Sequence, residues 1–205
     1  MRKFLAKNGI SGSIVFLYGF LLWAIIGALF LGFENDRSIY RQINEQHTAF
    51  LDLTMPYISY LGTGPVIIFF TLLLLGFKKF RNWQFFGLML VVNGLPFLIA
   101  QALKNLLHAP RPLKYFDHAE WIHLVEGQPM NYHLSFPSGH SEGVFAWLCF
   151  MSLLLPKRYA FLGFFFFLIA LAVMYSRIYL SQHFFADVYA GSLIGGLSAF
   201  FLFCS

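Results

Sequence analysis

Charge is scarce in this chain of 205 residues. Asp, Glu, Lys and Arg make up 11% of it, hydrophobic residues make up 59%, and the formal net charge is +5. A soluble domain carries about 25% charged residues, so the composition argues against a soluble globular fold. The apolar residues form long runs, which predicts a protein that crosses the membrane several times. The basic residues lie in small clusters between these runs, which argues against nucleic-acid binding.

Cysteine and metal-ligand patterns are also sparse. The two cysteines, Cys149 and Cys204, lie in apolar segments without metal-ligand or redox spacing, and we interpret them as small hydrophobic residues. His47 has no evident partner in the sequence. The histidines and acids of the connection 108–136 match no zinc signature, and a solvated loop explains them better: His108, Asp117, His118, Glu120, His123, Glu126 and His133. We predict no metal ion and no other cofactor.

Six apolar runs are long enough for transmembrane helices. Backbone groups in lipid must be hydrogen-bonded within their own segment, so these runs are predicted as helices. They lack the alternation that a membrane β-barrel requires. The predicted fold class is an all-α polytopic membrane protein, a single domain over residues 1–205, with the first run retained as a signal anchor. The predicted helices are 14–33, 56–77, 83–107, 137–155, 159–179 and 184–203.

The basic clusters predict the orientation of these helices. A cytoplasmic N-terminus places most basic residues that lack a chemical explanation on the cytoplasmic side, as the positive-inside rule requires. Both termini are then cytoplasmic, and the connections 34–55 and 108–136 lie on the outer side. An interfacial helix is predicted in the first of these connections. The cytoplasmic basic residues would be Arg2, Lys3, Lys7, Lys78, Lys79, Arg81, Lys157 and Arg158.

Three polar clusters remain at helix ends, all on the predicted outer side. Ionisable residues at membrane depth are costly and therefore point to function. The clusters are Lys104 with Arg111 and Pro112, the segment Pro137-Ser138-Gly139-His140, and Ser176-Arg177 with His183 and Asp187. In isolation each has a structural explanation, as snorkelling cations, a helix cap or a polar pair between helices. Their coincidence on one face favours a shared site.

The cations and the helix start together suit a phosphoryl group. Lys104, Arg111 and Arg177 supply positive charge, and guanidinium groups match phosphate oxygens. Ser138 and Gly139 open a helix, whose N-terminal N–H groups and dipole favour an anion.

The histidines have distinct predicted roles. His183 and Asp187 are i and i+4 on one helix, so the carboxylate can orient the imidazole and leave its other nitrogen free to attack. His140 is suited to protonate the leaving group and then to activate water. Glu142 is an acidic residue in an otherwise apolar helix start, where it would line the cavity or pair with a cation and influence substrate choice.

These residues resemble the type 2 phosphatidic acid phosphatase (PAP2) superfamily. The similarity covers residues 104–187, and the six-helix layout extends it over most of the chain; residues 51–64 also look like the segment that precedes the motifs in bacterial members. All three family motifs are present, in order and at the family's spacing: Lys104-x6-Arg111-Pro112, Pro137-Ser138-Gly139-His140 and Ser176-Arg177-x5-His183-x3-Asp187.

The resemblance implies a metal-independent membrane lipid phosphatase. His183 would form a phosphohistidine with Asp187 as its partner, and His140 would be the general acid and base. Phosphate would be bound by Lys104, Arg111, Arg177, Ser138 and Gly139. The implied location is the cell inner membrane, with the site facing the periplasm or cell exterior. The predicted partners are the bilayer and a membrane lipid phosphate, with no nucleic acid and no assigned oligomeric state.

Several substrates and two other functions remain open at this point. Undecaprenyl pyrophosphate is favoured because the short chain with an outward site resembles bacterial enzymes of that type; phosphatidylglycerol phosphate, phosphatidic acid and a lipid A phosphate are the alternatives. A lipid phosphotransferase would use the same residues. A non-catalytic anion or lipid transporter would use the cations without the chemistry.

Overall fold

The computed structural model of the chain describes residues 14–204, and the side chains of residues 14–202. It is helical, with no strand in that range. The helices are α1 (Val15–Phe33), α2 (Asp36–Glu45), α3 (Ala49–Tyr60), α4 (Gly64–Leu75), α5 (Trp83–Leu107), α6 (Pro112–Tyr115), α7 (Gly139–Leu154), α8 (Leu162–Tyr179) and α9 (Phe185–Cys204). The basic residues Arg2, Lys3 and Lys7, and the side chain of Cys204, lie outside what is described.

Four of these helices are long and apolar enough to cross a membrane: α1, α5, α8 and α9. The bent pair α3–α4 makes a fifth span if it is counted as one. The predicted fourth run corresponds to α7, which has 16 residues and is shorter than the roughly 20 that a span usually needs. The structure thus supports four or five candidate spans within residues 14–204, where the sequence predicted six.

The predicted helix 56–77 is wrong as a single straight element. The structure has two helices there, bent by 54° at a break of three residues. Gly62 lies in the break, against Val173 of α8 and the backbone of His140, where a Cβ atom would be too close to Val173. Pro65 follows in the first turn of α4, a position that suits proline. The bend therefore follows from a turn sequence and from packing against two other helices.

The central element is α7, with 12 of its 16 residues buried. Aromatic side chains of α1 and α8 surround it: the Phe16 ring lies 6.1 Å from that of Phe145 and 5.5 Å from that of Phe167. Gly191 and Gly195 of α9 face the backbone of α7, where any Cβ would be too close. The glycines of α9 thus serve packing within the chain.

The connection 34–48 contains the predicted amphipathic helix, α2. Its buried face includes Ile39, Tyr40 and Asn44. The side chain of Tyr40 stacks on Phe116 and donates to or accepts from Ser181, 3.0 Å away. Burial raises the pKa of Tyr40 to about 12. This helix closes the end of the bundle that carries the polar clusters.

Candidate active site

The first turn of α7 opens onto a polar cleft. Ser138 is the N-cap residue, and the N–H groups of the first turn have no acceptor within the helix. The backbone N–H of Ser138 donates to the carbonyl oxygen of Asp187 over 2.9 Å. This bond joins the start of α7 to the start of α9. The segment 137–140 and the third polar cluster are therefore fixed relative to each other.

A tight turn after α8 brings His183 back to Arg177. The N–H groups of Gln182 and His183 both donate to the carbonyl oxygen of Arg177, over 3.0 and 3.2 Å. Ser181 has a φ of 58°, in the left-handed region that such a turn requires. A guanidinium and an imidazole separated by six residues in sequence thus lie at the same wall of the cleft.

Three donors surround the carboxylate of Asp187. Its Oδ2 accepts a hydrogen bond from the Ser135 hydroxyl over 2.5 Å and from the backbone N–H of Phe184 over 2.9 Å. Nδ1 of His183 lies 3.5 Å from the same oxygen and 3.5 Å from the Ser135 hydroxyl oxygen. A distance of 3.5 Å is longer than a well-formed hydrogen bond of about 2.7–3.2 Å. Ser135 therefore holds the carboxylate more closely than the imidazole does.

His183 is 1% exposed as a residue, yet it borders the cleft. Burial, together with the charges of Arg111, Arg177 and Lys104, holds the pKa of its imidazole well below its usual range. The imidazole is therefore neutral at neutral pH. A neutral ring with Nδ1 turned towards Asp187 has its Nε2 lone pair available for attack.

The three cations each have a protein partner and also face the cleft. Nη1 of Arg177 donates to the Ser59 hydroxyl over 2.6 Å, while its buried Nε has no hydrogen-bond partner among residues 14–202. Nη1 of Arg111 donates to the carbonyl oxygen of Gln182 over 2.9 Å. Lys104 donates to the carbonyl oxygen of Leu134 over 2.7 Å. These contacts orient the cations without neutralising them.

The structure brings most of the predicted site residues into one cleft of about 770 Å³. Six of the eight line it: Lys104, Arg111, Gly139, His140, Arg177 and His183. The other two, Ser138 and Asp187, are buried behind its wall.

Sequence reasoning missed four polar residues of the site. Ser135 holds Asp187, Ser59 holds Arg177, and the side-chain oxygen of Gln182 accepts from both Arg111 and Asn131, over 3.1 and 2.8 Å. Gln182 is the neighbour of His183, and Ser135 precedes the Pro137 motif by two residues, so proximity to a motif was the available signal. Nothing comparable marks Ser59, which lies in α3.

A second cavity, of about 580 Å³, adjoins the cleft between α4, α5 and α7. The two cavities share Thr63, Gly139 and His140. Most of its other lining residues are apolar, among them Ile67, Leu72 and Phe97. Glu142 lines this cavity, as the sequence suggested, and forms no ion pair within the described part of the chain.

Two loop histidines differ from their sequence interpretation. Nε2 of His123 lies 2.7 Å from a carboxylate oxygen of Asp52, and that oxygen also accepts from the Tyr179 hydroxyl over 2.5 Å. The ring of His47 stacks on that of His123, with centroids 3.9 Å apart. These side chains form an ordered cluster that joins α3, the loop and α8, because Tyr179 and Asp52 anchor it. Within residues 14–204, no three His, Cys, Asp or Glu side chains are arranged to hold a metal ion.

Comparison with known proteins agrees with this geometry. The model of the PAP2 superfamily matches residues 83–205. An undecaprenyl-diphosphatase of Sulfolobus acidocaldarius is 32% identical over 190 residues, which are 91% of this chain and 87% of that protein.

Two solved structures share the fold. Aquifex aeolicus LpxE has a TM-score of 0.68 at 27% identity, over 82% of this chain and 94% of its own. The PAP2-type phosphatidylglycerolphosphate phosphatase of Bacillus subtilis has a TM-score of 0.62 at 22% identity, over 93% and 95%. Because the family model spans more than half of the chain and a relative above 30% identity covers most of it, the chain belongs to the PAP2 superfamily.

Proposed function

We propose that this PAP2-family lipid phosphatase hydrolyses a lipid phosphate or pyrophosphate through a phosphohistidine on His183, with undecaprenyl pyrophosphate as the favoured substrate. One observation carries the proposal. A buried, neutral imidazole borders the same cleft as Lys104, Arg111, Arg177 and a second histidine, His140.

The first step is attack of His183 Nε2 on the terminal phosphorus. The N–P bond forms as the bond from phosphorus to the lipid oxygen breaks, and His140 gives its proton to that oxygen. A monoester releases a lipid alcohol and a pyrophosphate releases a lipid monophosphate. Asp187 stabilises the imidazolium that develops on His183, from a carboxylate held by Ser135 and the N–H of Phe184.

The second step restores the enzyme. His140 takes a proton from water, the water oxygen attacks phosphorus, and the N–P bond breaks to release inorganic phosphate. Throughout, Lys104, Arg111 and Arg177 would balance the charge on the phosphoryl oxygens, with the Ser138 and Gly139 end of α7 assisting. We propose that no metal is needed because three cations already face the phosphoryl position.

The apolar cavity beside the cleft supports a lipid substrate. It shares the wall formed by Thr63, Gly139 and His140 with the polar cleft, so a chain attached to the phosphoryl group has an apolar space to enter. The name of the Sulfolobus relative, undecaprenyl-diphosphatase, supports the pyrophosphate as the favoured choice.

We further propose the membrane arrangement that the sequence favours. The bent pair α3–α4 would count as one span and α7 as another, giving six within a single domain of residues 1–205. Both termini would be cytoplasmic and the cleft would face the outer side of the inner membrane. The basic residues at the opposite end of the helices, among them Lys78, Lys79 and Arg81, support this orientation.

The test is phosphate release by purified, detergent-solubilised protein in excess EDTA. The substrates are undecaprenyl pyrophosphate, phosphatidylglycerol phosphate, phosphatidic acid and a lipid A phosphate. We expect release by the wild type and by His108→Asn, an exposed loop control, and none by His183→Ala. Loss of activity in EDTA that a divalent cation restores would contradict the metal-free reaction. Transfer of phosphate to an added alcohol in place of water would indicate a phosphotransferase, and tight lipid binding without release would indicate a transporter.

A further inference from the structure

The apolar cavity contains a carboxyl group that has no partner. Glu142 is 3% exposed, and it lines the cavity between α4, α5 and α7. Its Oε1 is buried, and no hydrogen-bond donor among the described residues reaches it. Buried polar atoms are nearly always hydrogen-bonded, and an unsatisfied one is costly. A carboxyl group that lines a binding cavity and has an unpaired oxygen therefore points to a donor supplied by the ligand.

A second unpaired oxygen belongs to another residue of the cavity lining. Asn93 of α5 also lines the cavity, and its Oδ1 is buried with no partner in the part of the chain that the structure describes. Its Nδ2 already donates to the carbonyl oxygen of Met89 over 2.9 Å, which fixes the side chain. Two residues that line a mostly apolar cavity thus each have a buried side-chain oxygen without a partner.

Lys104 does not form an ion pair with Glu142. The ammonium group of Lys104 donates to the carbonyl oxygen of Leu134 over 2.7 Å, and no ion pair joins it to Glu142. The backbone of Glu142 is held on its other side by α9, where Gly195 lies against the Glu142 carbonyl oxygen. The carboxyl group is thus kept at the cavity by its position in the first turn of α7.

The depth of Glu142 sets where the ligand's donor must be. Glu142 follows His140 by two residues, which is about 3 Å along the helix axis at 1.5 Å per residue. His140 borders both cavities, and in the proposed reaction it lies between the phosphoryl group and the lipid chain. A donor one or two carbon atoms from the phosphate ester oxygen would therefore lie at the level of Glu142.

We propose that Glu142, assisted by Asn93, is a specificity-determining residue that accepts a hydrogen bond from a hydroxyl or amide N–H of the lipid, close to its phosphate. The cavity then distinguishes two classes of lipid phosphate. Lipids with such a donor satisfy the carboxyl group, whereas lipids without one leave it unpaired. The inference rests on the proposed phosphatase function.

The test uses two single-chain lipid phosphates that differ by one hydroxyl group. The first is a 1-acyl-glycerol 3-phosphate, with a free hydroxyl at carbon 2. The second is the corresponding 1-acyl-propanediol 3-phosphate, which lacks it. For the wild type we expect kcat/KM to be about tenfold higher for the hydroxyl-bearing lipid, the effect of leaving one buried acceptor unpaired. Equal values for the two lipids would overturn the proposal without the use of any variant.

Two substitutions at the same position separate hydrogen bonding from charge. Glu142→Gln keeps a carbonyl oxygen acceptor and removes the ionisable group, so the preference should persist. Glu142→Met keeps the length and removes the acceptor, so the ratio of the two kcat/KM values should fall to about one. If both variants change the two substrates by the same factor, Glu142 acts through its charge on Lys104 and the proposal is wrong. Absence of phosphate release from either lipid and from the pyrophosphate would instead contradict the proposed function.

Discussion

The Ser135 hydroxyl lies 2.5 Å from Oδ2 of Asp187, whereas Nδ1 of His183 lies 3.5 Å from the same oxygen. The carboxylate is therefore held more closely by a serine of the loop before α7 than by the imidazole. The backbone N–H of Phe184 donates to this oxygen as well. The position of the Asp187 carboxylate next to His183 thus depends on the conformation of the loop that precedes α7.

Removing the Ser135 hydroxyl should lower turnover without unfolding the protein. In Ser135→Ala the carboxylate loses one donor and keeps the N–H of Phe184, so we expect kcat to fall about tenfold with little change in KM. Steady-state phosphate release measures both parameters. Ser192→Ala, which removes a buried hydroxyl of α9 outside the cleft, is the matched control. An unchanged kcat in Ser135→Ala would contradict the positioning role.

Replacing Asp187 with Asn should have a larger effect on the same step. The amide keeps the size of the side chain, and the bond from Ser138 N–H to the backbone carbonyl of residue 187 remains. The negative charge that stabilises the imidazolium of His183 is lost, so we expect kcat to fall by about a hundredfold. Circular dichroism and the melting temperature in detergent should match the wild type. Full activity in Asp187→Asn would show that the carboxylate does not assist His183.

The sequence predicted the residues of the site better than it predicted the residues that hold them in position. Arg177, His183 and Asp187 lie within eleven residues of one another, so a single helix end and turn brings them together. Ser59 and Ser135 act through bonds that span 118 and 52 residues in sequence. No periodicity predicts such pairs, because they depend on how α3 and the loop pack.

The helices differ in the same way: features set by neighbouring residues were predicted, and features set by packing between helices were not. The predicted bounds of 83–107 equal those of α5, where the Asn82 side chain caps the first turn by accepting from the N–H of Phe85 over 2.9 Å. The bend between α3 and α4 was missed because the prediction used only hydrophobicity, and residues 56–77 form one continuous apolar run. The Gly62–Pro65 turn signal lay inside that run, and its angle is set by contact with α8.

The stability of the protein should fall with acidification in a way that depends on His183. The unfolded chain takes up a proton on this imidazole near its ordinary pKa of about 6.5, whereas the folded protein does so only well below that value. Its contribution is thus fully present above about pH 6.5 and is lost as the pH falls towards the folded pKa, at up to about 1.4 kcal/mol per pH unit.

The measurement is the melting temperature in detergent between about pH 5 and 8, for the wild type and His183→Gln. The variant has no titrating group at this position, so its melting temperature should fall less steeply with acidification. Since His140 is present in both proteins, the difference between the curves isolates His183. Parallel curves would mean that this imidazole has an ordinary pKa in the folded protein.

The contact between α7 and α9 should be intolerant of even one added carbon atom. A Cβ at Gly195 would lie against the backbone carbonyl oxygen of Glu142, closer than van der Waals contact permits, and backbone cannot rotate away as a side chain can. The helices would have to separate, and α9 carries Asp187 while α7 carries His140. We therefore expect Gly195→Ala to cost about 1–3 kcal/mol of stability and to lower phosphate release as well.

Gly87 of α5 provides the matched control, because a Cβ there meets nothing within 4 Å. Gly87→Ala should leave activity intact and stabilise the protein by up to about 1 kcal/mol, since alanine is the better helix former. Melting temperatures in one detergent compare the two variants directly. If both alanines shift the melting temperature alike, helix propensity rather than the α7–α9 contact determines the effect. If Gly195→Ala lowers the melting temperature and Gly87→Ala raises it, the close contact between α7 and α9, which carry His140 and Asp187, is what limits the size of residue 195.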